Sequence, residues 1–352
     1  MTLVQGNTIW DASRMPDGDR TRIENPSLVR FAGAWYCSVQ ESPSHNPHPL
    51  GRTRILRSSD GVHWDTVQLL TWDGGSVAAL LSATSEGRLM ASGQIYFVSH
   101  EARRDLNRRG EDGALPPDNA DPNPMRSTSF CYYQLDPLGT VLNLPDNDSE
   151  PDVTCQFASW LSADGLHWGS ANCSANMVNT EPFRVTWHQG MGYVIGQWGK
   201  DTQGTLYRTR DGRKWRILKE RFAPGGLCNE GALAFGRDNT AYCLFRDGNN
   251  EVMLGIGQAP YYQVWEWKTL QVDYGPEAGG PRPATEVLRT SLGGPLLIRV
   301  RDGRLLGGGR ALGPGRNDGA ATLFLLDPAR ALLKVVAEFD GTSYMSVVED
   351  EG

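Results

Sequence analysis

Three segments of the chain repeat one template, S/T-x-D-G-x-x-W: Ser58, Asp60, Gly61 and Trp64; Ser162, Asp164, Gly165 and Trp168; Thr209, Asp211, Gly212 and Trp215. Each follows a short strand-like run, RTRILR, FASWL and GTLYR. Asp-Gly supplies the positive φ that a tight hairpin turn needs, and the aspartate side chain can accept the turn's backbone N–H groups. The tryptophan is long enough to wedge between neighbouring sheets. A chain that writes the same hairpin three times is built from repeated antiparallel units, and its boxed aspartates are read as turn supports rather than as metal ligands or catalysts.

A second pattern, strand, polar turn, strand, accompanies the boxes. Its first strands start near Asn25, Ser76, Glu181, Glu230 and Gly294, with a sixth start at Ser343. The spacing is about fifty residues, doubled once, and four short strands in such a unit describe a propeller blade. The expectation is therefore an all-β, six-bladed β-propeller with Asp-box hairpins, residues 1–352 forming one domain. The doubled step is read as an insertion at about 99–153 in the second blade, holding a possible hairpin at 130–144; a seventh, degenerate blade is the alternative. The last blade is incomplete, and residues 3–10 are expected to supply an outer strand that closes the ring and removes its edge. ARALLKV, near Leu333, is read as part of an outer-strand hairpin. With 41 Gly, 21 Pro and 11 Trp the composition suits short strands and many turns, which excludes an all-α fold.

The balance of 34 Lys and Arg against 41 Asp and Glu gives a net charge of -7. That opposes nonspecific binding to nucleic acid or to an acidic membrane surface, so any bound anion has to be held locally. No run is long and apolar enough for a membrane-spanning helix, and the first residues lack the layout of a secretory leader, so the expected location is cytoplasmic or else left open. The six cysteines show no C-x-x-C pair; they are read as buried free thiols, a Cys155–Cys173 bridge being the weaker option.

In a four-stranded meander blade, the start of the first strand and the end of the second open on the face where propellers bind ligands. Those positions carry Arg22 and Glu24, then Glu41, His45 and His48, in blade one. They carry Gln94 and His100 in blade two, Glu181, Gln197 and Asp201 in blade three, and Asn229, Glu230, Arg246 and Asp247 in blade four. Blade five adds Arg310 and Arg316, and Tyr344 opens the last strand. Arginines from separate blades meeting at one mouth suit an anionic ligand.

These residues resemble the sialidase superfamily of glycoside hydrolases, six-bladed propellers studded with Asp boxes. Arg22-Ile23 ahead of Pro26 looks like the family's Arg-Ile-Pro entry to the first blade, with Glu24 and Asn25 intruding before the proline. Asn229-Glu230 followed by Arg246 is similar to the family's glutamate and second arginine. Arg316-Asn317 looks like the third arginine, with Arg310 as its rival by blade position. Tyr344 and the residues after it resemble the segment bearing a nucleophilic tyrosine.

The resemblance implies that Arg22, Arg246 and Arg310 or Arg316 bind a substrate carboxylate through planar guanidinium forks. It implies Tyr344 as nucleophile and Glu230 as its base, a neutral phenol avoiding the repulsion a carboxylate nucleophile would meet beside the substrate's own acid group. Nearby arginines are expected to lower the phenol's pKa. Glu24, Gln94 and Glu181 are expected to contribute to substrate binding.

The family's general acid, an Asp in the loop after the second strand, has no counterpart in residues 41–52, which hold no Asp. Glu41, His45 or His48 could donate the proton, as could Asp105 or Asp112 from the insertion. The expected function is retaining removal of a terminal sialic acid or related acidic sugar, without metal or cofactor and with a carbohydrate as the only partner implied. A propeller glycosidase or lyase for another sugar, and a noncatalytic carbohydrate-binding propeller, are the alternatives. The sequence leaves the oligomeric state open.

Overall fold

The computed structural model describes residues 8–14, 22–43, 48, 50–73, 75–97, 133–135, 141–143, 155–178, 180–197, 203–224, 228–247, 252–276, 279–284, 292–311, 320–339 and 344–349. They form a β-propeller of five antiparallel sheets. Blade one takes Arg22–Phe31, Ala34–Ser42, Arg52–Ser58 and Asp65–Leu70 in sequence order from the inside outward. Blade two takes Gly75–Ala83, Leu89–Phe97, Cys155–Ser162 and Asn172–Val178. Phe97 and Cys155 end neighbouring strands of one ladder, Tyr96 pairing with Cys155, so the chain between them leaves and rejoins the same sheet. Inside that stretch, Tyr133–Leu135 pairs with Val141–Asn143 as a separate hairpin.

Blade three begins with Glu181–Pro182 and Thr186–His188, both paired to Met191–Gln197, and continues through Thr205–Thr209 to Arg216–Glu220. Blade four is Cys228–Phe235, Ala241–Asp247, Val252–Gly257 and Trp265–Thr269. Blade five is Gly293–Arg299, Leu305–Ala311, Ala320–Asp327 and Leu332–Phe339. The short strand Gln271–Asp273 lies parallel to the last of these and carries Arg282–Pro283 beyond it.

The three boxed turns join third and fourth strands and share one geometry. Asp60 Oδ1 accepts the N–H groups of Val62 and His63 at 2.8 Å each, and Asp164 Oδ1 those of Leu166 and His167 at 2.8 Å each. Asp211 Oδ1 accepts from Arg213 and Lys214 at 2.9 Å each. His63 and His167 add a ring nitrogen to the second aspartate oxygen, which pushes both carboxyls far below the usual carboxylate range. Trp215 of blade three wedges against Phe157 of blade two edge to face, with ring centroids 5.3 Å apart. Such a pair adds about 0.5–1.5 kcal/mol beyond the area it buries. Trp168 packs on the cluster shared by blades one and two, whereas Trp64 packs on blade one's own Cys37, Val39 and Leu56.

The core lies between blades rather than within them. One cluster joins blades one and two around Tyr36, Ile55 and Leu89, and another joins two and three around Phe157 and Trp215. A third joins three and four around Phe222 and Phe245, and a fourth joins four and five around Leu244 and Phe324. Among the described residues no such cluster joins blade five to blade one. The outward face of blade one, with Cys37, Val39 and Leu56, is instead covered by Ile9 and Trp10.

Here the structure departs from a six-sheet ring. Residues 344–349 occupy the place expected for the sixth inner strand but form no strand. They are tied by side chains: Leu28 N–H donates to Ser346 Oγ at 2.9 Å, and Arg184 Nη2 donates to the Met345 carbonyl at 2.7 Å. Arg301 N–H donates to Glu349 at 2.6 Å. Thr8, Ile9 and Trp10 form no strand either, so the described part of residues 3–10 does not close the ring by pairing. Cys155 and Cys173 form no disulfide, which removes that option. No helix among the described residues is long and apolar enough to cross a membrane.

Candidate active site

The inner strands of blades one to four and Tyr344 surround a cavity of about 210 Å³. Glu230, near the start of blade four's inner strand, is only 8% exposed and is satisfied from three sides. Its Oε1 accepts the Tyr344 hydroxyl at 2.5 Å, while Oε2 accepts Arg246 Nη1 at 2.9 Å and the Gly294 N–H at 2.8 Å. Arg246 faces Glu230 because the two are paired across the first two strands of the blade.

Gly294 supplies its N–H from a left-handed conformation, φ 59°, and a Cβ there would lie 2.2 Å from the Tyr344 ring. Only glycine gives both the turn and the room. The Tyr344 ring is held edge-on against Phe183, centroids 5.8 Å apart, with the Arg310 guanidinium carbon 5.6 Å from its centroid.

Burial raises the Tyr344 phenol well above its ordinary pKa, and the Glu230 charge and hydrogen bond raise it further; Arg246 and Arg310 pull the other way without prevailing. The expected depression of this phenol is therefore corrected. Tyr344 stands neutral, with its proton directed at a carboxylate that an arginine holds in place. Arg246 Nε is buried without a partner, leaving one guanidinium donor unused beside the pair.

Glu181, at the start of blade three, lines the same cavity. Gln197 Nε2 donates to its Oε2 at 3.2 Å, and the Tyr96 hydroxyl bonds it as well. Protein surrounds the carboxyl apart from the cavity, and burial, assisted by the charge of Glu230, raises it to about 7. Gln94 also lines the well, but its amide N–H is engaged by the Pro182 carbonyl at 2.9 Å, so it ties blade two to the strand carrying Glu181.

Several expectations are corrected by position. Glu41, 1% exposed, does not open on the well. It accepts from Trp10 Nε1 at 3.0 Å and Arg52 Nε at 2.8 Å, and pairs closely with Arg54. Its oxygens are occupied by these donors and it does not line the cavity, so it is not placed to meet a leaving group there. His48 is 8% exposed, its Nδ1 accepts from Leu50 N–H at 3.0 Å, and burial lowers its pKa, so it is neutral with that nitrogen occupied. It does not line the cavity.

Arg22 is exposed and pairs with Glu24 at 2.9 Å rather than lining the well. The intrusion before Pro26 takes the form of a bulge: the register with the second strand shifts between Glu24 and Ser27, and Asn25 has φ 51°. That turns Asn25, not Arg22, into the cavity, where its amide donates to Gln40 at 2.8 Å. Arg316, His45, His100, Asp105, Asp112 and Asp201 lie outside the described residues.

Two side chains in the site had no sequence signal. Arg184 lines both this well and a second cavity of about 440 Å³ farther along the inner strands. Burial lowers its pKa to about 10, its Nε has no partner, and it holds Met345 next to Tyr344. Tyr96, the fixed neighbour of Glu181, reads in sequence as one more strand aromatic. Among the described residues no group of three or more His, Cys, Asp or Glu is placed to hold a metal.

No protein-family model and no curated protein matches the sequence. Solved structures do resemble the fold. The intramolecular trans-sialidase from Ruminococcus gnavus superposes with a TM-score of 0.58 at 13% identity, over 96% of this chain and 88% of that one. The NanB sialidase from Streptococcus pneumoniae gives 0.58 at 11% identity over 95% of this chain, which spans 63% of that protein. The alpha-L-arabinanase of Penicillium chrysogenum gives 0.52 at 12% identity, over 92% of this chain and 84% of that one. The shared feature is the propeller itself, on which these neighbours carry glycosidase sites of more than one kind.

Proposed function

We propose that this chain is a propeller glycoside hydrolase that removes a terminal acidic sugar of the sialic-acid kind with retention of configuration, through a tyrosyl intermediate. The observation that carries the reading is the hydrogen bond from the half-buried Tyr344 hydroxyl to Glu230, itself held by Arg246, with Tyr344 and Glu230 lining one cavity. A neutral phenol is a weak nucleophile, and a carboxylate at hydrogen-bond distance removes its proton as it attacks. The unused Nε of Arg246, with Arg310 beside the ring, suits a substrate carboxylate next to the anomeric carbon. Arg22 is not needed in this arrangement.

A second reading, a glycosidase for a neutral sugar working with two carboxyls, is favoured by one feature, the presence of Glu181 and Glu230 on the same cavity. Kinetics with a fluorogenic sialoside and a panel of neutral glycosides separates the two. Turnover of the sialoside that falls about 10³-fold or more in both Tyr344→Phe and Glu230→Gln supports the tyrosine mechanism. Unchanged turnover in those variants rules it out, and cleavage of neutral glycosides alone turns the assignment to the second reading. Saturable glycan binding without release of sugar overturns both.

A further inference from the structure

On the reading above the well holds a nucleophile and its base; of the residues expected to protonate the leaving group, Glu41 and His48 face elsewhere, and His45, Asp105 and Asp112 lie outside the described residues. We infer that Glu181 is the proton donor to the leaving oxygen and, in the second half of the reaction, the base that activates water. The inference rests on the glycosidase reading above and deepens it.

Three glutamates point to it by contrast. Glu41 is locked between Arg52 and Arg54, and Glu230 is paired with Arg246. Glu181 has no lysine or arginine partner among the described residues, only the Gln197 amide and the Tyr96 hydroxyl. A cation stabilises a carboxylate, whereas a desolvated carboxyl held by neutral groups keeps its proton. Two carboxyls on one cavity, one paired with an arginine and one held by neutral groups, can divide the work of base and acid.

The position of Glu181 is also fixed. Its backbone pairs with Gln197, and the next carbonyl, of Pro182, is anchored by Gln94 across the blade boundary. Tyr96 lines the same cavity, and desolvation raises its phenol well above the ordinary value, so it stays a neutral partner that orients the carboxyl. The carboxyl of Glu181, raised to about 7, keeps its proton below that pH.

The steps balance. The Tyr344 oxygen bonds to the anomeric carbon while its proton passes to Glu230. The bond from that carbon to the leaving oxygen breaks with its electron pair, and the oxygen takes the Glu181 proton. A water molecule then gives a proton to the Glu181 carboxylate and bonds to the anomeric carbon. The tyrosyl bond breaks, and Tyr344 recovers its proton from Glu230. Water is consumed and both glutamates return to their starting states.

The experiment compares an aryl sialoside, whose leaving phenolate needs little help, with a sialyl-galactoside, whose leaving alcohol needs a proton. In Glu181→Gln, kcat/KM for the galactoside should fall about 10³-fold, and the glycosylation step of the aryl substrate should change by less than about tenfold. Azide, which needs no base, should restore aryl-sialoside turnover. In the wild-type protein the galactoside rate should decline above about pH 7, and this limb should vanish in the variant. Should Glu181→Gln not fold, Glu181→Asp and the wild-type pH profile carry the same comparison.

Equal loss on both substrates, or no loss on either, overturns the role of Glu181 alone if Tyr344→Phe is still inactive. A wild-type protein inert on every glycoside overturns the glycosidase reading and this inference with it.

Discussion

Glu41 in blade one and Glu230 in blade four are both buried carboxylates facing arginine, 1% and 8% exposed. Around Glu41 every neighbour is a donor already spent: Trp10, Arg52 and Arg54 close on it from all sides. Around Glu230 one neighbour is a phenol with a proton to lose, and both Glu230 and that phenol's Tyr344 line a cavity, which Glu41 does not. Burial and an ion pair are thus common to both. What separates a strut from a site is the presence of a reactive partner and a space beside it.

The widest test of this contrast is to neutralise each glutamate in turn. Glu230→Gln should cost about 10³-fold in sialoside kcat while changing stability little, since Gly294 and Arg246 can still bond an amide oxygen. Glu41→Gln should do the reverse, because it strands two guanidinium groups beside a buried amide. Urea unfolding should show a loss of about 3–5 kcal/mol, with kcat/KM of the folded fraction unchanged. A Glu41 variant that loses activity at full stability would break the contrast.

A narrower test keeps charge and removes geometry. Arg246→Lys retains a cation beside Glu230 but not the planar fork, so KM for a sialoside should rise about tenfold with little change in Tm. The same rise for a neutral glycoside would show that Arg246 acts through Glu230 alone and not on the substrate.

The smallest effect is a pH dependence from Glu181, the third carboxyl. Its folded value of about 7 stands above the 4.5 of an ordinary glutamate. Below about pH 4.5 both folded and unfolded forms are protonated and nothing is lost. Between there and 7 the unfolded chain ionises first, so stability declines, and above 7 the loss is complete. Urea midpoints of wild type and Glu181→Gln should therefore diverge as pH rises from 4.5 to 7, with the variant gaining. Parallel curves would place this carboxyl with Glu41.

The blades were legible because their signal is local. An Asp-Gly turn with a tryptophan three residues later needs no distant partner to form, and the strand starts near Ser76, Glu181, Glu230 and Gly294 fall within two residues of the observed ones. Glu230, Arg246 and Tyr344 were found because strand pairing puts the first two together and the blade repeat places the third. Glu41 misled because a carboxylate at a strand end reads the same whether it faces a ligand or an arginine on the next strand. Arg22 misled because the bulge at Asn25 redirects the residues around it. Arg184 and Tyr96 sit in ordinary strand sequence, and only the packing of other blades gives them meaning. Among the described residues no sixth sheet forms, because residues 344–349 are held by side chains without pairing as a strand.

That segment has a consequence for how the molecule matures. Each sheet pairs mostly strands that follow one another along the chain, and short-range zipping of that sort is quick. The bond from Leu28 to Ser346 spans 318 positions and the bond from Tyr344 to Glu230 spans 114. Loop-closure entropy makes such distant meetings the slow ones. A molecule with all five sheets assembled and residues 344–349 undocked would pass every spectroscopic check for native structure and lack the Tyr344–Glu230 contact on which the proposed activity rests. Recovery of catalysis after dilution from denaturant would then trail recovery of tryptophan fluorescence, and the interval between them would time the docking of a single six-residue clasp.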